Sequence, residues 1–171
     1  MAIKFIIGIM GPGESATPDQ NRIAYELGSA IADEGWITLT GGRSFGVMDA
    51  ALKGAWENGG TTIGILPTEN TKGSSKYTTI KILTGLGGAR NQVNILSSHA
   101  LVICGMSAGT ASEVALALKA DKKVILLNQD EMTVKFFKKI GSYKIMEAST
   151  VQETIEKIKE YLSVSYPVIP E

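Results

Sequence analysis

The sequence is short of the residues that form disulfides and metal sites. Its 171 residues include one cysteine, Cys104, and one histidine, His99. A lone cysteine excludes a disulfide within the chain, and these two residues cannot supply a tetrahedral ligand set. We therefore predict no protein-ligated metal. Cys104 ends an apolar run, which indicates a buried packing residue, and His99 is predicted to have a structural role.

The sequence also has no excess of either charge and no long apolar run. Lys and Arg together number 17, as do Asp and Glu, so no overall field favours nucleic acid or an anionic membrane. No stretch approaches the ~18 apolar residues of a membrane helix, and residues 1–11 lack the features of a signal peptide. We therefore predict a cytoplasmic protein that binds neither nucleic acid nor a membrane. Any anion site must be local.

What the chain does have is a regular alternation of strand and helix patterns. Hydrophobic residues make up 44% of the sequence, enough for a substantial core. The predicted strands cover residues 4–9, 36–40, 62–66, 79–83, 100–104, 123–127 and 144–146. The predicted helices cover residues 19–34, 47–58, 89–97, 111–118, 132–140 and 150–162. These βα units predict a single Rossmann-like α/β domain over residues 1–165, with a doubly wound, mostly parallel sheet, helices on both faces, and a tail at 166–171.

The strand at residues 100–104 and the turn after it are the strongest indication of a ligand site. The turn, which opens the helix at residue 111, reads Gly105-Met106-Ser107-Ala108-Gly109-Thr110. A glycine-rich turn between a buried parallel strand and a helix presents backbone N–H groups and the positive end of the helix dipole, which stabilise an anion such as phosphate. Glu113, in the first predicted helical turn, either does acid-base or polar work there or complements the dipole.

Two further glycine-rich turns follow predicted strands. The first contains Gly8, Gly11 and Gly13, and the second reads Gly41-Gly42-Arg43-Ser44-Phe45-Gly46. In a doubly wound sheet, ligands bind at the carboxyl ends of the strands, where these turns lie. The spacing G-x-x-G-x-G is not the dinucleotide fingerprint, and the chain has no G-x-x-x-x-G-K-[ST] sequence. A nicotinamide enzyme and a P-loop NTPase are therefore disfavoured.

Four features remain open between a functional and a structural role. Arg43, in a turn at a strand end, favours a functional role over that of a solvated side chain. Arg90 either contacts the ligand or pairs across a subunit contact. Asp49 either complements the dipole of the second helix or touches the ligand. The polar segment 68–77 is a loop, either a mobile flap over the site or a plain surface excursion.

Four segments, taken in order, resemble one superfamily. The segments GGRSFGVMDAA, GGTTIGILP, GGARNQ and GMSAGTASEVALAL are similar to stretches of the LOG-like proteins, often mislabelled as lysine decarboxylases. The resemblance extends over roughly residues 1–165, and within the superfamily the chain looks closest to the molybdenum cofactor carrier branch. That resemblance implies a homodimer or homotetramer that binds the pterin cofactor without transforming it. The partners it implies are molybdoenzymes or cofactor-biosynthesis proteins.

Another branch of this superfamily hydrolyses nucleoside 5′-monophosphates and so activates cytokinins, releasing a base and ribose phosphate. The end of its signature PGGxGTxxE is matched by Gly109, Thr110 and Glu113, and its upstream arginine is matched by Arg90. If the chain is such a phosphoribohydrolase, the resemblance implies that Arg90 and Glu113 are the catalytic residues.

The chain departs from the hydrolase pattern in two turns. Gly105, Met106 and Ser107 stand in place of P-G-G, and Arg43 and Asp49 replace two glycines of the earlier turn. Added side chains change the shape of a site where bare backbone approached the ligand, and a misplacement near 1 Å costs about a hundredfold in rate. The departures favour a carrier, which needs only affinity and shielding.

The first hypothesis is therefore a carrier or storage protein that binds the molybdenum cofactor through the terminal monophosphate of molybdopterin. The alternative is a nucleoside-5′-monophosphate phosphoribohydrolase, and a third interpretation is an anion-sensing or structural oligomer. The sequence does not distinguish molybdenum from tungsten. The predicted cofactor-binding residues are Gly11, Gly41, Gly42, Arg43, Ser44, Gly46, Arg90, Gly105, Met106, Ser107, Ala108, Gly109, Thr110 and Glu113.

Overall fold

The computed structural model describes residues 4–166, which form one seven-stranded sheet with helices on both faces. The strands are β1 Ile6–Met10, β2 Ile37–Thr40, β3 Thr62–Leu66, β4 Ile80–Leu83, β5 Ala100–Cys104, β6 Val124–Leu127 and β7 Ile145–Ala148. Their order is β4-β3-β2-β1-β5-β6-β7, and every neighbouring pair is parallel. The strand order therefore reverses between β1 and β5, with β2 to β4 on one side of β1 and β5 to β7 on the other.

Six helices cover the two faces of this sheet. They are α1 Pro18–Asp33, α2 Gly46–Glu57, α3 Arg90–Ser97, α4 Ala108–Lys119, α5 Glu131–Gly141 and α6 Val151–Ser165. Buried residues of α1, α2 and α6 form one core with the sheet, and buried residues of α3, α4 and α5 form the other. Strands β3, β5 and β6 are buried along their whole length because they are covered on both sides. Among residues 4–166, no helix is both long enough and apolar enough to cross a membrane.

The predicted fold class is confirmed, with boundaries shifted by a few residues at some elements. The sheet is fully parallel rather than mostly parallel, and β1 begins at Ile6 rather than at residue 4. The capping box predicted at the start of α1 is present, because Thr17 and Gln20 each accept the other's backbone N–H. Helix α6 continues to Ser165, beyond the predicted end at 162. Residues 167–171 of the predicted tail lie outside the described residues.

The helix after β5 begins three residues earlier than predicted. It starts at Ala108, so Gly109 and Thr110 belong to its first turn and not to the preceding loop, and Glu113 lies in its second turn. The reason is the cap: the Ser107 hydroxyl accepts the Thr110 backbone N–H at 3.2 Å. Gly109 suggested a loop, but a side-chain cap outweighs the weak helix propensity of one glycine.

The lone cysteine and the lone histidine both occupy structural positions, as predicted. Cys104 is 1% exposed, and burial raises the pKa of its thiol to about 12, so it is not a reactive thiolate. The His99 Nδ1 accepts the Ile6 backbone N–H at 3.0 Å, and its ring packs edge-on to Phe5 at 5.4 Å between centroids. The hydrogen bond ties the residue before β5 to the start of β1.

Helices α1 and α2 approach closely enough for backbone to touch backbone. A Cβ at Gly28 of α1 would lie 2.1 Å from the Ala51 carbonyl oxygen, and a Cβ at Gly54 of α2 would lie 2.0 Å from the Tyr25 carbonyl oxygen. Such contacts leave no room for any side chain at either position. The glycines therefore set the distance between the two helices that precede and follow β2.

We expect Gly28→Ala to lower the free energy of unfolding by about 2 kcal/mol, because the backbones of α1 and α2 must separate to admit the methyl group. The gain in helix propensity of about 1 kcal/mol is too small to offset this effect. Chemical denaturation followed by circular dichroism measures the change. Gly88→Ala is the matched control, since a Cβ at Gly88 meets no atom within 4 Å. Equal stability of the two variants would contradict the prediction.

Candidate anion-binding site

The turns after β1, β2 and β5 meet at the carboxyl edge of the sheet, where the strand order reverses. Close contacts join them: a Cβ at Gly11 would lie 2.4 Å from the Cys104 carbonyl oxygen, and a Cβ at Gly46 would lie 2.1 Å from the Gly13 carbonyl oxygen. Gly46 also has a φ of +64°, which favours glycine. Gly11 and Gly46 are predicted to contact the ligand, and the structure shows that close packing also requires a glycine at both positions.

The centre of the candidate site is the guanidinium of Arg90, the first residue of α3. Arg90 is 9% exposed, and its Nη1 donates to Asn91 Oδ1 at 3.0 Å. Its buried Nε has no hydrogen-bond partner within residues 4–166. The group lies against Gly41 at the end of β2, where a Cβ would be 2.5 Å from Nη2. Gly41 thus makes the space that the guanidinium occupies.

Burial lowers the pKa of Arg90, the charge of Glu113 opposes that shift, and the charge of Arg43 adds to it. Two guanidinium groups therefore act on one another at the carboxyl edge of the sheet, and Arg90 forms no ion pair with any described residue. A buried cation without an ion-pair partner is costly, and an anionic ligand would remove that cost. The arrangement fits an anion site.

The turn that carries Arg43 is fastened to the polar loop 68–77. The Ser44 backbone N–H donates to the Gly73 carbonyl at 3.1 Å, and the Ser75 backbone N–H donates to the Gly42 carbonyl at 2.9 Å. The loop is therefore hydrogen-bonded to the turn along one edge. Neither a free flap nor a plain surface excursion describes this arrangement. Arg43 is half-buried, whereas the Ser44 side chain is exposed.

Glu113 projects from α4 into the same region and is 7% exposed. Burial raises the pKa of its carboxyl to about 7, although Arg90 and the side chain of Asn94 lower it. The carboxyl forms no ion pair with any residue of the described part of the chain. It is therefore about half protonated near neutral pH, in contrast to the fully ionised carboxylate of an exposed glutamate.

The hydroxyl groups at the start of α4 are engaged with one another. Ser107 Oγ and Thr110 Oγ1 are 2.9 Å apart, and Ser107 also caps the helix. Ala108 and Gly109 are exposed, and a Cβ at Gly109 would have only Ser107 Oγ nearby, at 3.9 Å. The open end of α4 thus presents backbone N–H groups to solvent. Met106 packs against the core of α3, α4 and α5, so packing explains it.

The start of α1, where a dinucleotide-binding protein holds phosphate, is closed by the chain itself. Gln20 of the capping box lies over Gly105, where a Cβ would be 2.5 Å from Gln20 Nε2. The cavity beside Gln20, lined also by Thr17, Cys104 and Asn128, has a volume of about 150 Å³. Pockets for cofactor-sized ligands measure roughly 300–1,000 Å³. Gly105 therefore serves this close packing, and the open side of the edge is the one with the exposed first turn of α4.

Sequence reasoning missed Asn94, which is fully buried one helical turn after Arg90 on α3. Its Oδ1 has no hydrogen-bond partner within the described residues, and its Nδ2 is 3.9 Å from Met10 Sδ. The spacing i, i+4 from a candidate arginine was the available signal, because it places both residues on one helix face. Within residues 4–166, no three His, Cys, Asp or Glu side chains are grouped so that they could hold a metal ion.

The raised pKa of Glu113 predicts a pH dependence of stability. The folded state binds the proton more tightly than the unfolded state, so stability falls as pH rises from about 4.5 to about 7. The size of this fall is roughly 3 kcal/mol. Glutamine resembles the protonated carboxyl, so Glu113→Gln should escape the fall and be more stable than the parent protein at pH 8.

Denaturant unfolding at pH 5 and pH 8 measures this difference. Glu160→Gln is the matched control because it removes the same charge at an exposed position of α6. We expect the stability gap between Glu113→Gln and the parent protein to widen from pH 5 to pH 8, and the gap for the control to stay constant. Parallel curves for both variants would show that Glu113 is ionised in the folded protein at pH 5.

Comparison with solved structures finds close relatives of this fold. A molybdenum cofactor binding protein from the phototrophic bacterium Rippkaea orientalis superposes with a TM-score of 0.92 and 50% identity, covering 95% of this chain and 99% of that one. The molybdenum cofactor carrier protein of Chlamydomonas reinhardtii has a TM-score of 0.89 and 48% identity, with 94% and 99% covered. A protein of Archaeoglobus fulgidus without a described function is 41% identical over 121 residues, which is 71% of this chain and 78% of that protein.

The predicted resemblance to LOG-like proteins, nearest to the molybdenum cofactor carriers, is therefore confirmed. The SLOG cluster4 family model matches residues 4–155. That range takes in every strand and helix that contributes to the Arg90 site, from β1 to α4. The chain belongs to the SLOG cluster4 family.

Proposed function

We propose that this protein binds the molybdenum cofactor and carries it, holding the terminal phosphate of the pterin at the Arg90 site. The observation that carries the proposal is the buried Arg90 guanidinium, whose Nε is unpaired within the described residues. A phosphate monoester supplies both the missing acceptor and the missing negative charge. Identity of 50% and 48% to proteins that are themselves described as binding or carrying this cofactor supports the choice of ligand.

The residues around Arg90 suit a phosphate bound from the open side. Arg43 adds a second cation close enough to affect the pKa of Arg90. The exposed first turn of α4, at Ala108 and Gly109, adds unpaired backbone N–H groups and the positive end of the helix dipole. When bound, the cofactor brings the redox chemistry. The role of these side chains is to anchor its phosphate and shield it.

We also propose that the protein works in the cytoplasm as a homodimer or homotetramer, exchanging the cofactor with molybdoenzymes or biosynthesis proteins. The edge strand β4 supports an oligomer, because Ile80, Ile82 and Leu83 are 45%, 41% and 44% exposed. Successive side chains of a strand point to opposite faces, so both faces of β4 carry uncovered apolar area. An apolar sheet edge of this kind is normally covered by a partner.

The alternative function, hydrolysis of nucleoside 5′-monophosphates, is favoured by one observation. Arg90 and Glu113, which match the catalytic pair of that branch, lie close enough for their charges to interact. The observation against it is the change in two turns, where Gly105, Met106 and Ser107 stand in place of P-G-G and Arg43 stands in place of a glycine. We therefore place the carrier function first.

Cofactor retention tests the proposal. Purified protein is mixed anaerobically with free molybdenum cofactor and desalted, and the pterin in the protein fraction is measured by fluorescence after oxidation. We expect about one pterin per subunit, since each subunit has its own Arg90 site. Arg90→Met should weaken retention about tenfold to hundredfold, which corresponds to the loss of one or two hydrogen bonds to a charged group.

Arg22→Met is the matched control, because Arg22 is an exposed arginine of α1 that pairs only with Asp19 and Glu26 among the described residues. It should retain the cofactor like the parent protein. Equal loss in both variants would remove Arg90 from the site. Absence of retention in the parent protein, together with AMP cleavage that Glu113→Ala abolishes, would establish the hydrolase instead.

A further inference from the structure

The two side chains that act on the Glu113 carboxyl each carry a polar atom without a partner, and the two atoms have opposite character. Arg90 Nε is a donor without an acceptor, and Asn94 Oδ1 is an acceptor without a donor, within the described residues. Both side chains act on Glu113, and all three residues are buried. An ionised carboxyl can accept from Arg90 but cannot donate to Asn94, whereas a protonated carboxyl can donate to Asn94. The cluster therefore has two alternative ways to satisfy its hydrogen bonds.

We propose that Glu113 takes up a proton, held against Asn94, when an anionic phosphate binds beside Arg90, so that cofactor binding and release are coupled to proton uptake and loss. The inference rests on the proposed function and adds its regulation. In the ligand-free, ionised state, Glu113 offsets part of the charge of Arg90 without forming an ion pair with it. When phosphate approaches, it replaces the carboxylate as the counter-charge of the guanidinium. The carboxylate is then an excess negative charge in a buried place, and protonation removes it.

The charged groups that act on Glu113 all favour the replacement of its carboxylate by a bound phosphate as the counter-charge of Arg90. Arg90 from α3 is the charge that lowers the pKa of the carboxyl, and Arg43 from the turn after β2 acts on Arg90. Burial works in the opposite direction and holds the pKa of Glu113 near 7. A bound dianion would neutralise the effect of the arginines and raise that pKa further. By linkage, the protonated protein must then bind the anion more tightly than the ionised protein.

Asn94 is the positioning residue in this arrangement. Its amide offers both a donor and an acceptor, so it can hydrogen-bond to either protonation state of Glu113 by turning over. Arginine or lysine in its place would favour only the ionised state. Asn94 follows Arg90 by about one turn of α3, so the two buried side chains lie on the same face of the helix.

The dissociation constant of the molybdenum cofactor at pH 6 and pH 8, measured by anaerobic equilibrium dialysis, tests the coupling. The cofactor's own phosphate titrates in all samples, so the comparison is between variants. Between pH 6 and pH 8 the protonated fraction of Glu113 falls about tenfold. The dissociation constant of the parent protein should therefore rise by a factor about ten times larger than that of Glu113→Gln. Glu160→Gln, the exposed control, should behave like the parent protein.

The role of Asn94 has its own readout. In Asn94→Asp, two carboxyl groups share the buried place, so the midpoint of the pH profile should move upward by about one unit or more. An unchanged midpoint in a folded variant would show that residue 94 does not contact Glu113, and would overturn this part of the inference.

Carbon-13 NMR of the Glu113 carboxyl in the ligand-free protein separates a failure of the coupling from a failure of the proposed function. This measurement needs no cofactor. A titration midpoint near 7 for the Glu113 carboxyl supports its role in proton uptake, whatever the ligand is. A midpoint below about 5.5 overturns the coupling, as do identical pH profiles for the parent protein and Glu113→Gln when the cofactor binds. Absence of cofactor binding at both pH values would instead overturn the carrier function.

Discussion

The site depends on one contact, in which the guanidinium of Arg90 lies against the bare backbone of Gly41. Removing a cation from water costs several kcal/mol. Among residues 4–166, Arg90 has only the amide of Asn91 as a hydrogen-bond partner, and the Glu113 carboxyl does not pair with it directly. A side chain at residue 41 would push the guanidinium out, since its Cβ would stand 2.5 Å from Nη2. The absence of a side chain at Gly41 therefore makes room for the guanidinium of Arg90.

The sheet topology explains why these groups meet. The chain builds β1 to β4 in one direction, then α3 crosses back so that β5 pairs with β1. The start of α3 therefore lies over the carboxyl end of β2, and α4, which follows β5, packs beside it. Both helices belong to the same face of the sheet, opposite α1 and α2. At α1, on the other face, Gln20 closes the position that corresponds to a dinucleotide-phosphate site.

Much of the fold could be predicted from the sequence, because βα units, glycine-rich turns and capping residues are local signals. The α/β fold class, the capping box at Thr17 and the burial of Cys104 follow from them. The start of α4 could not be placed, since Gly109 reads as loop and only the geometry of Ser107 reveals the cap. Asn94 was missed because an asparagine on a helix is ordinarily a surface residue, and its spacing of four residues from Arg90 was the available local signal. Its other neighbours, Met10 and Glu113, are distant in the chain.

The crossing of α3 has a consequence for how the protein becomes competent to load its ligand. Gly41, Arg90 and Glu113 are brought together only after β1 has paired with both β2 and β5, and these non-local parallel pairings are slow to form. A partly folded chain has helices and glycine-rich turns but no site. Ligand therefore binds only the finished fold and stabilises it by mass action, so occupancy itself reports that folding is complete.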